Sequence, residues 1–450
     1  MSLTSVSLVY SDMHCNQCEQ TPDGGCTVTG VCGKDPTLDA LQDMLLYGIK
    51  GVSAYTTQAR EMGYQSPAID ATIQKTLYST LTNVNFDPES HLELALEVGE
   101  AAVSSMELLD EAHTKEFGTP EPTTVPQNNV EGHPILVTGH DLYTLKELLE
   151  QTADEPDVTV YTHSEMLPAH GYPELAAFDH LNGNVGGAWH DQRTLFAEFP
   201  GAILGTSNCV QPPNAEYEDR FYTTGVADLE ETESIDDGDF TPLIETAKAQ
   251  PAASWEQEGT VTTGFHHNPV LGMLDDIVDA VEAGQLRRFF VVAGCDAPTP
   301  GRDYYRELVK SIPEDCVVMT TSCGKFRFND LEFGTVPGTE IPRFIDFGQC
   351  NNSISAAFVA AELADEFDCG VNELPLSVVL SWFEQKAVAV LLGLLSMGVE
   401  DIRLGPTLPE FVDETLLEQL NETFGLQPIT TPESDLEEML GTADTPAAAD

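Results

Sequence analysis

The chain has 450 residues, of which 41% are hydrophobic, and its 75 acidic and 19 basic residues give a formal net charge of -56. This length allows two to four domains with large cores, and the hydrophobic content excludes an intrinsically disordered chain despite the charge. The acidic residues are spread along the whole chain, which indicates a salt-loving source, where counterions screen self-repulsion. The same charge repels nucleic acid and anionic membranes, so we expect neither as a partner.

The sequence predicts a cytoplasmic protein with reduced thiols. No run approaches 18 consecutive apolar residues, and the amino terminus lacks a charged segment followed by an apolar one, so neither a membrane span nor a secretory signal is predicted. Ten cysteines in a reducing compartment indicate metal or redox chemistry rather than disulfides.

The first motif along the chain is a group of four cysteines, Cys15, Cys18, Cys26 and Cys32, interleaved with glycines. Four thiolates on a glycine-containing loop are the usual ligands of an iron-sulfur cluster. A structural zinc ion also accepts four cysteines and is the alternative. The spacing lacks the two Cys-x2-Cys pairs of a zinc ribbon, so we favour a cluster.

Helical periodicity follows the cysteine loop. Apolar residues recur at intervals of three and four from Leu38 to Val52 and again in a segment from Leu92 to Leu108, with Pro88 near the start of the second helix. Both segments predict a small helix bundle. The proline-containing run 119–131 marks a boundary, so we predict a helical domain over residues 1–128.

Strand and helix signals then alternate, which is typical of an α/β domain, predicted here over residues 129–255. Three apolar strands in this region each precede a candidate ligand: His140, Glu165 and Cys209. Taken singly, the first two are explained by positions at helix starts and the third by a buried core position. Their common position after strands favours a shared role.

The last predicted domain, residues 256–450, repeats this arrangement. Three apolar runs after Arg288 end at Cys295, Cys323 and Cys350. In open α/β sheets, ligands bind outside the carboxyl ends of the strands, so three thiols there can converge on one metal site. Each cysteine alone could instead be an inert core residue.

Some residues near these strands have less specific interpretations. The adjacent His266 and His267 are expected to point to different sides of the backbone, which disfavours joint metal binding. Glu384 and Lys386 lie amid apolar residues, where they must form an ion pair or bind metal. Cys316 and Cys369 have no partner pattern; both are interpreted as structural.

The chain resembles the hybrid cluster protein family, also called hydroxylamine reductases, along nearly its whole length. The likeness rests on separate motifs that occur in the same order: CNQCEQT at 15–21, VTGHDL at 137–142, THSEMLPAH at 162–170, TSNC at 206–209, VAGCD at 292–296, GQCN at 348–351 and SWFEQKA at 381–387. The short distance between Cys32 and His140 is similar to the short form of the family, which lacks one helical bundle and is known from archaea and thermophiles.

This resemblance implies a helical domain followed by two Rossmann-like α/β domains, with two iron-sulfur cofactors. It implies that the amino-terminal cysteines hold a 4Fe-4S cluster. The second cofactor, a hybrid 4Fe-2S-2O cluster between the domains, would be held by His140, Glu165, Cys209, Cys295, Cys323, Cys350 and Glu384. In the family, the cysteine that matches Cys295 is persulfidated in the oxidised form. Thiolates combined with imidazole and carboxylates suit irons bridged by both sulfide and oxide.

The resemblance further implies an enzyme that reduces hydroxylamine to ammonia and water, nitric oxide to nitrous oxide, or both. Electrons would come from an external donor such as a ferredoxin or an NAD(P)H-dependent reductase. Glu384 would be a labile ligand that exposes an iron position, and Lys386 a proton donor. The alternatives are a nitric-oxide responsive protein that S-nitrosylates partner thiols and an enzyme similar to carbon monoxide dehydrogenase.

Overall fold

The computed structural model describes residues 13–230, 232–235, 237–252, 257–412 and 414–441. The predicted boundary at residue 255 lies outside these described residues. Contacts divide the chain into two compact units. The first comprises Met1–Leu109 and Ser377–Thr430, and the second comprises Asp110–Leu376 and Thr431–Asp450. The division into three domains predicted from the sequence stays a prediction.

Several of the described helices begin with proline at the first helical position, where its missing N–H costs nothing. The α-helices, in chain order, are α1 Pro36–Glu61, α2 Pro67–Ser79, α3 Pro88–Phe117, α4 Leu142–Thr152, α5 Pro173–Ala176, α6 Gln192–Glu198, α7 Thr241–Ala249, α8 His267–Leu271, α9 Leu274–Glu282, α10 Asp303–Ser311, α11 Ser353–Glu366, α12 Gln385–Ser396, α13 Glu414–Phe424 and α14 Pro432–Gly441. Across the described ranges, no helix is both long and apolar enough to cross a membrane.

Strands alternate with these helices from residue 123 onward. They are β1 Thr123–Pro126, β2 His133–Thr138, β3 Val158–Thr162, β4 Leu181–Asn184, β5 Ala202–Gly205, β6 Phe221–Thr223, β7 Glu233–Ser234, β8 Thr260–Thr263, β9 Arg288–Gly294, β10 Cys316–Thr320, β11 Phe344–Asp346, β12 Leu376–Ser381, β13 Ile402–Gly405 and β14 Gln427–Pro428. The expected amino-terminal helical region followed by α/β segments is therefore confirmed.

The first unit is a helical layer in which α1 and α3 pack against α12. All six predicted apolar positions of α1, from Leu38 to Val52, are buried. Glycines allow the helices to approach closely: a Cβ at Gly51 would lie 2.5 Å from the Ala389 Cβ, and one at Gly99 would lie 2.2 Å from the Leu392 carbonyl oxygen. Strands β12, β13 and β14 are parallel neighbours in that order.

The second unit contains a six-stranded parallel sheet of order β4-β3-β2-β5-β6-β7 and a run of parallel strands of order β11-β10-β9. Strands β2, β3, β5 and β10 are buried along most or all of their length, as expected when helices cover both faces of a parallel sheet. The sequence pattern does not predict β1, which lies in the proline-containing run and pairs antiparallel with β8. It also missed α2, the helix between the two predicted ones.

Candidate metal centres

The four amino-terminal cysteines lie on one loop before α1. Cys15 and Cys26 face each other through two backbone hydrogen bonds, of 3.1 and 2.8 Å. Cys18 and Cys32 line the same pocket as Cys15. None of the ten cysteines, all of which lie in the described ranges, forms a disulfide. The loop therefore presents reduced sulfur ligands around a shared space, which fits a four-thiolate metal group.

Glycine at position 25 is required by the turn of this loop. Its φ is 89°, in the left-handed region, and a Cβ there would lie 2.9 Å from the His14 ring. Only glycine reaches this conformation without strain. The predicted role of glycines in folding the backbone closely beside the cysteines is thus supported at Gly25.

Six of the predicted ligands in the second unit follow six strands that form two neighbouring sets. His140, Glu165 and Cys209 come after β2, β3 and β5, which are adjacent in the first sheet. Cys295, Cys323 and Cys350 come after β9, β10 and β11, which are also adjacent. Because parallel strands end at the same edge, each set lies at one carboxyl edge.

Glu165 connects the two sets. Its Oε2 accepts a hydrogen bond from the Cys350 backbone N–H at 3.0 Å and lies 3.7 Å from the His140 Nε2. One ligand atom from each of these three buried residues lies within 4.8 Å of the others, which is a geometry suited to a metal ion. The structure therefore brings together ligands from both sets of strands.

Gln349 forms hydrogen bonds to the backbone of His140 and of Glu165. Its Nε2 donates to the His140 carbonyl oxygen at 2.8 Å and to the Glu165 carbonyl oxygen at 2.7 Å, and its side chain is fully buried. Sequence reasoning missed Gln349, although it precedes a predicted ligand in the GQCN motif. One amide thus fixes the backbones of two candidate ligands.

Cys323 is buried close to other candidate ligands that carry negative charge when ionised. Burial raises the pKa of its thiol well above the usual range, and the charges of Glu165, Cys209 and Cys295 raise it further. Its Sγ lies 3.2 Å from the Ser164 Oγ. Buried acidic ligands that repel one another are stabilised when a cationic group binds among them and displaces their protons. The donor set therefore fits a multi-iron group of mixed thiolate, imidazole and carboxylate ligation.

Backbone strain is concentrated at this site. Six described non-glycine residues have positive φ, and three of them are Ser164 (56°), Cys209 (62°) and Ser322 (67°). The two serines immediately precede the candidate ligands Glu165 and Cys323. Conformations of this kind cost about 1–3 kcal/mol each and persist where the surrounding structure holds them, often at functional sites.

The backbone around Cys295 is fixed by the residue after it. Asp296 is 3% exposed and accepts hydrogen bonds from the Arg327 Nε at 2.8 and 2.9 Å. Its Oδ2 lies 3.0 Å from the His190 Nε2, and its carbonyl oxygen accepts from the Trp189 Nε1 at 2.7 Å. No local sequence pattern predicts these positioning residues, because they are distant from Cys295 along the chain.

This network predicts a pH-dependent stability. Hydrogen bonds to Asp191 and Asp296 raise the pKa of His190 to about 9, above its ordinary value of 6.5. The contribution of His190 is therefore complete below pH 6.5 and is lost as the pH rises through 9. We expect His190→Gln to lower the free energy of unfolding by on the order of 2 kcal/mol at pH 6, and by almost nothing at pH 10. Thermal unfolding of both proteins at the two pH values measures this.

His180→Gln is the matched control, because burial lowers the pKa of His180. The difference between this control and the wild type should not shrink from pH 7 to pH 10. An equal destabilisation by His190→Gln at pH 6 and pH 10 would contradict the assigned ion pair.

A buried ion pair links the two turns that carry Cys323 and Cys350. The Lys325 Nζ donates to both Asp346 carboxylate oxygens, at 2.8 and 3.0 Å, and to the Gly348 carbonyl oxygen at 2.8 Å. Neither side chain of the pair is exposed. Gly348 has a φ of 120°, and a Cβ there would lie 2.7 Å from the Asn352 Oδ1. These contacts position two candidate cysteine ligands independently of any bound group.

The two adjacent histidines do not point to different sides, so that expectation was wrong. The ring centroids of His266 and His267 lie 3.8 Å apart, and both rings lie beside Asp110. The reason is that His266 precedes α8 in an extended conformation while His267 is its first residue. The His266 Nε2 lies 3.0 Å from the Asp110 Oδ1, and its Nδ1 accepts from the Asn268 N–H. Both ring nitrogens are thus satisfied, which favours a structural role.

Glu384 and Lys386 lie at the start of α12. The Glu384 Oε2 caps this helix by accepting from the Lys386 backbone N–H at 2.9 Å. The Lys386 Nζ lies 3.9 Å from the Glu384 Oε1. The ion pair that we considered from the sequence is therefore present. The role of Glu384 as a cluster ligand stays a prediction.

The two cysteines interpreted as structural differ in burial. Cys316 lies in β10 and is fully buried; burial, with the nearby Asp315, raises the pKa of its thiol to about 11. Cys369 is half-buried, and burial likewise raises its thiol pKa. Both thiols are protonated at neutral pH, which makes them poor nucleophiles.

Comparison with known proteins gives one family and a set of similar chains. The Prismane/CO dehydrogenase family matches residues 13–95 and 67–437. The hydroxylamine reductase of Moorella thermoacetica is 54% identical over 95% of this chain and 100% of its own length. The hydroxylamine reductase of Methanothermobacter thermautotrophicus is 48% identical over the same shares of the two chains.

Solved structures show the same fold at much lower identity. Carbon monoxide dehydrogenase from Thermococcus sp. AM4 superposes with a TM-score of 0.77 over 95% of this chain and 90% of that chain, at 16% sequence identity. Carbon monoxide dehydrogenase IV from Carboxydothermus hydrogenoformans gives 0.77 over 96% and 92%, at 14% identity. This likeness establishes the arrangement of helices and parallel strands, and it carries no information on substrate.

Proposed function

The chain belongs to the Prismane/CO dehydrogenase family, and from this we propose that it is an iron-sulfur enzyme that reduces hydroxylamine to ammonia and water. The observation that carries the proposal is the convergence of His140, Glu165 and Cys350 at two adjoining strand edges, in a chain 48–54% identical to hydroxylamine reductases. Membership of this family also accounts for the order of the sequence motifs between residues 15 and 387.

The proposed cofactors follow from the two donor sets. Cys15, Cys18, Cys26 and Cys32 would hold a 4Fe-4S cluster, and the strand-end residues, with Glu384, would hold the hybrid 4Fe-2S-2O cluster. When bound, these clusters supply one-electron transfer and iron positions that a small nitrogen species can occupy. We further propose that Cys295 is the persulfide position. The half-burial of Cys295 beside the anchored Asp296 supports this assignment.

The reaction consumes two electrons and two protons for each hydroxylamine: the N–O bond breaks, and ammonia and water form. This chain's residues contribute burial and position. His140 and Glu165 are 3% and 2% exposed, so bulk water is excluded from their ligand atoms. Lys386, whose side chain is 3% exposed and whose Nζ lies 3.9 Å from the Glu384 Oε1, is the proposed proton donor.

Electrons are proposed to enter through the amino-terminal cluster from an external one-electron donor such as a ferredoxin or an NAD(P)H-dependent reductase. The partial exposure of Cys15, Cys18 and Cys32 supports this direction, because electron transfer requires close approach of a donor. The residues of the buried site are less accessible to a protein partner.

The test is anaerobic purification at high salt, followed by iron, sulfide and nickel quantitation, visible and EPR spectra, and steady-state reduction of hydroxylamine with a low-potential donor. We expect about eight irons per chain, no nickel, and turnover of hydroxylamine. Nitric oxide is assayed in parallel, because the same site could reduce it to nitrous oxide. Zinc without iron, or full iron content without turnover of either substrate, would contradict the proposal.

Two variants test the proposed roles at the start of α12. We expect Glu384→Ala to reduce turnover by at least tenfold, because it removes a proposed ligand, and Lys386→Met to reduce it by a similar factor. Turnover and iron content are measured together. Glu384→Gln is the matched control. Its side-chain oxygen still caps the helix while its charge is gone, so a loss of turnover in this variant cannot be caused by loss of the cap. Full cluster content and full turnover in Glu384→Ala would contradict the ligand assignment, and unchanged activity in Lys386→Met would contradict proton donation.

A further inference from the structure

We propose that Lys34 raises the reduction potential of the amino-terminal cluster by holding its ammonium group against the Cys15 sulfur, while Asp39 limits the size of this effect. The inference rests on the proposed function, because it requires Cys15 to be a cluster ligand. The reduction potential of this cluster determines which electron donors can reduce the enzyme, so one buried ion pair would influence the choice of donor.

The contacts of Lys34 place its ammonium group in the pocket of the amino-terminal cysteines. Its Nζ donates to the Asp39 Oδ1 at 2.5 Å and to the Gln42 Oε1 at 3.2 Å. A lysine ammonium has three donors and no acceptor. Lys34 lines the same pocket as Cys15, Cys18 and Cys32, and its side chain interacts there with that of Cys15.

The balance of these contacts keeps Lys34 charged. The Asp39 carboxylate lies 2.5 Å from the Lys34 Nζ, and both side chains are 7% exposed, so a buried ion pair holds the ammonium in its charged form. Lys34 is 6% exposed, so solvent and salt screen its charge only weakly. A permanent positive charge therefore lies beside a proposed cluster ligand.

The backbone fixes this charge in place. The Asp39 Oδ2 accepts from the backbone N–H of His14, the residue before Cys15, at 3.0 Å. The Lys34 carbonyl oxygen accepts from the Gly30 N–H at 2.7 Å, which closes the turn that carries Cys32. The two carboxylate oxygens of Asp39 thus join the lysine to the cysteine loop, and the ammonium does not need to reorganise when the cluster changes charge.

The direction of the effect follows from electrostatics. One electron passes from an external one-electron protein donor to the oxidised cluster, so the donor is oxidised and the cluster becomes one unit more negative. A fixed positive charge and an N–H···S hydrogen bond stabilise the reduced form, which raises the reduction potential. The carboxylate of Asp39 acts in the opposite direction, so the net effect is the difference between the two.

The experiment is an EPR-monitored redox titration of the full-length protein, purified anaerobically with its clusters. For Lys34→Met we expect the equilibrium constant for one-electron reduction to fall at least tenfold, a negative shift of 59 mV. Asp39→Asn should shift the reduction potential in the positive direction. For Lys34→Arg, the equilibrium constant for one-electron reduction should stay within threefold of the wild-type value. The control is Lys50→Met, an exposed lysine of α1, which should leave the potential unchanged.

The outcomes separate the inference from the proposed function. A wild-type protein that binds no amino-terminal iron-sulfur cluster would overturn both. The inference alone would be overturned if the wild type contains the cluster and reduces hydroxylamine, but the equilibrium constant for one-electron reduction of Lys34→Met lies within threefold of the wild-type value. If Lys34→Met does not retain the cluster, Asp39→Asn decides: a negative or absent shift would overturn the inference, and a positive shift that persists at high salt supports it.

Discussion

Glu165→Ala should abolish hydroxylamine reduction, with a loss of more than a hundredfold, and should remove most iron of the hybrid site while the amino-terminal cluster remains. The reason is geometric. The Glu165 Oε2 lies 3.7 Å from the His140 Nε2 and accepts from the Cys350 N–H at 3.0 Å, so the truncation removes the group that connects the two strand edges. Turnover, iron content and EPR spectra of the anaerobically purified variant measure these three effects.

Glu165→Gln separates ligation from hydrogen bonding. Glutamine has the same shape and still accepts from the Cys350 N–H, but it lacks the negative charge that a ligand to iron contributes. If Glu165 is a ligand, the glutamine variant should lose turnover nearly as fully as the alanine variant. The surface control is Glu174→Ala, an exposed position of α5, which should behave as the wild type. Full activity and iron content in Glu165→Gln would show that Glu165 only orders the Cys350 turn.

The sequence was sufficient to predict the strand-end positions of this site. A short apolar run that stops at a possible ligand reports both burial and topology, because parallel strands place their carboxyl ends at one edge. For this reason His140 and Glu165 were expected to lie at one edge, and the family resemblance added Cys350 to the same site. The structure brings these three residues together. The helical pattern around Leu41 and Val52 was equally informative, since its period identifies the buried face.

Other features depend on tertiary contacts that no local pattern encodes. Asp296 is held by Trp189 and His190, more than a hundred residues away along the chain. Strained serines such as Ser164 look ordinary in sequence, because only the surrounding structure forces their positive φ. The adjacent histidines show the same limit: alternation applies within a strand, whereas His266 and His267 lie where an extended segment becomes a helix.

Removal of one partner of the Lys325 ion pair should destabilise the protein more than any surface change. Lys325→Met leaves the Asp346 carboxylate fully buried without its cation, which typically costs about 3–5 kcal/mol. The same loss should lower the occupancy of the hybrid site, because the turns of Cys323 and Cys350 are joined through this pair. Thermal and denaturant-induced unfolding, together with iron content, provide the measurement.

The double variant Lys325→Met with Asp346→Asn decides whether charge or packing is responsible. Asparagine removes the buried charge, and its side-chain oxygen still accepts from the Gly348 N–H, a bond of 2.9 Å in the wild type. Most of the lost stability should therefore return, although the hydrogen bond from Lys325 to the Gly348 carbonyl oxygen is absent. Lys310→Met, at an exposed lysine paired with Glu307, should cost less than about 0.5 kcal/mol. A Lys325→Met protein within 1 kcal/mol of the wild type would contradict a buried, charged pair, since an isolated carboxylate cannot remain ionised there without a large penalty.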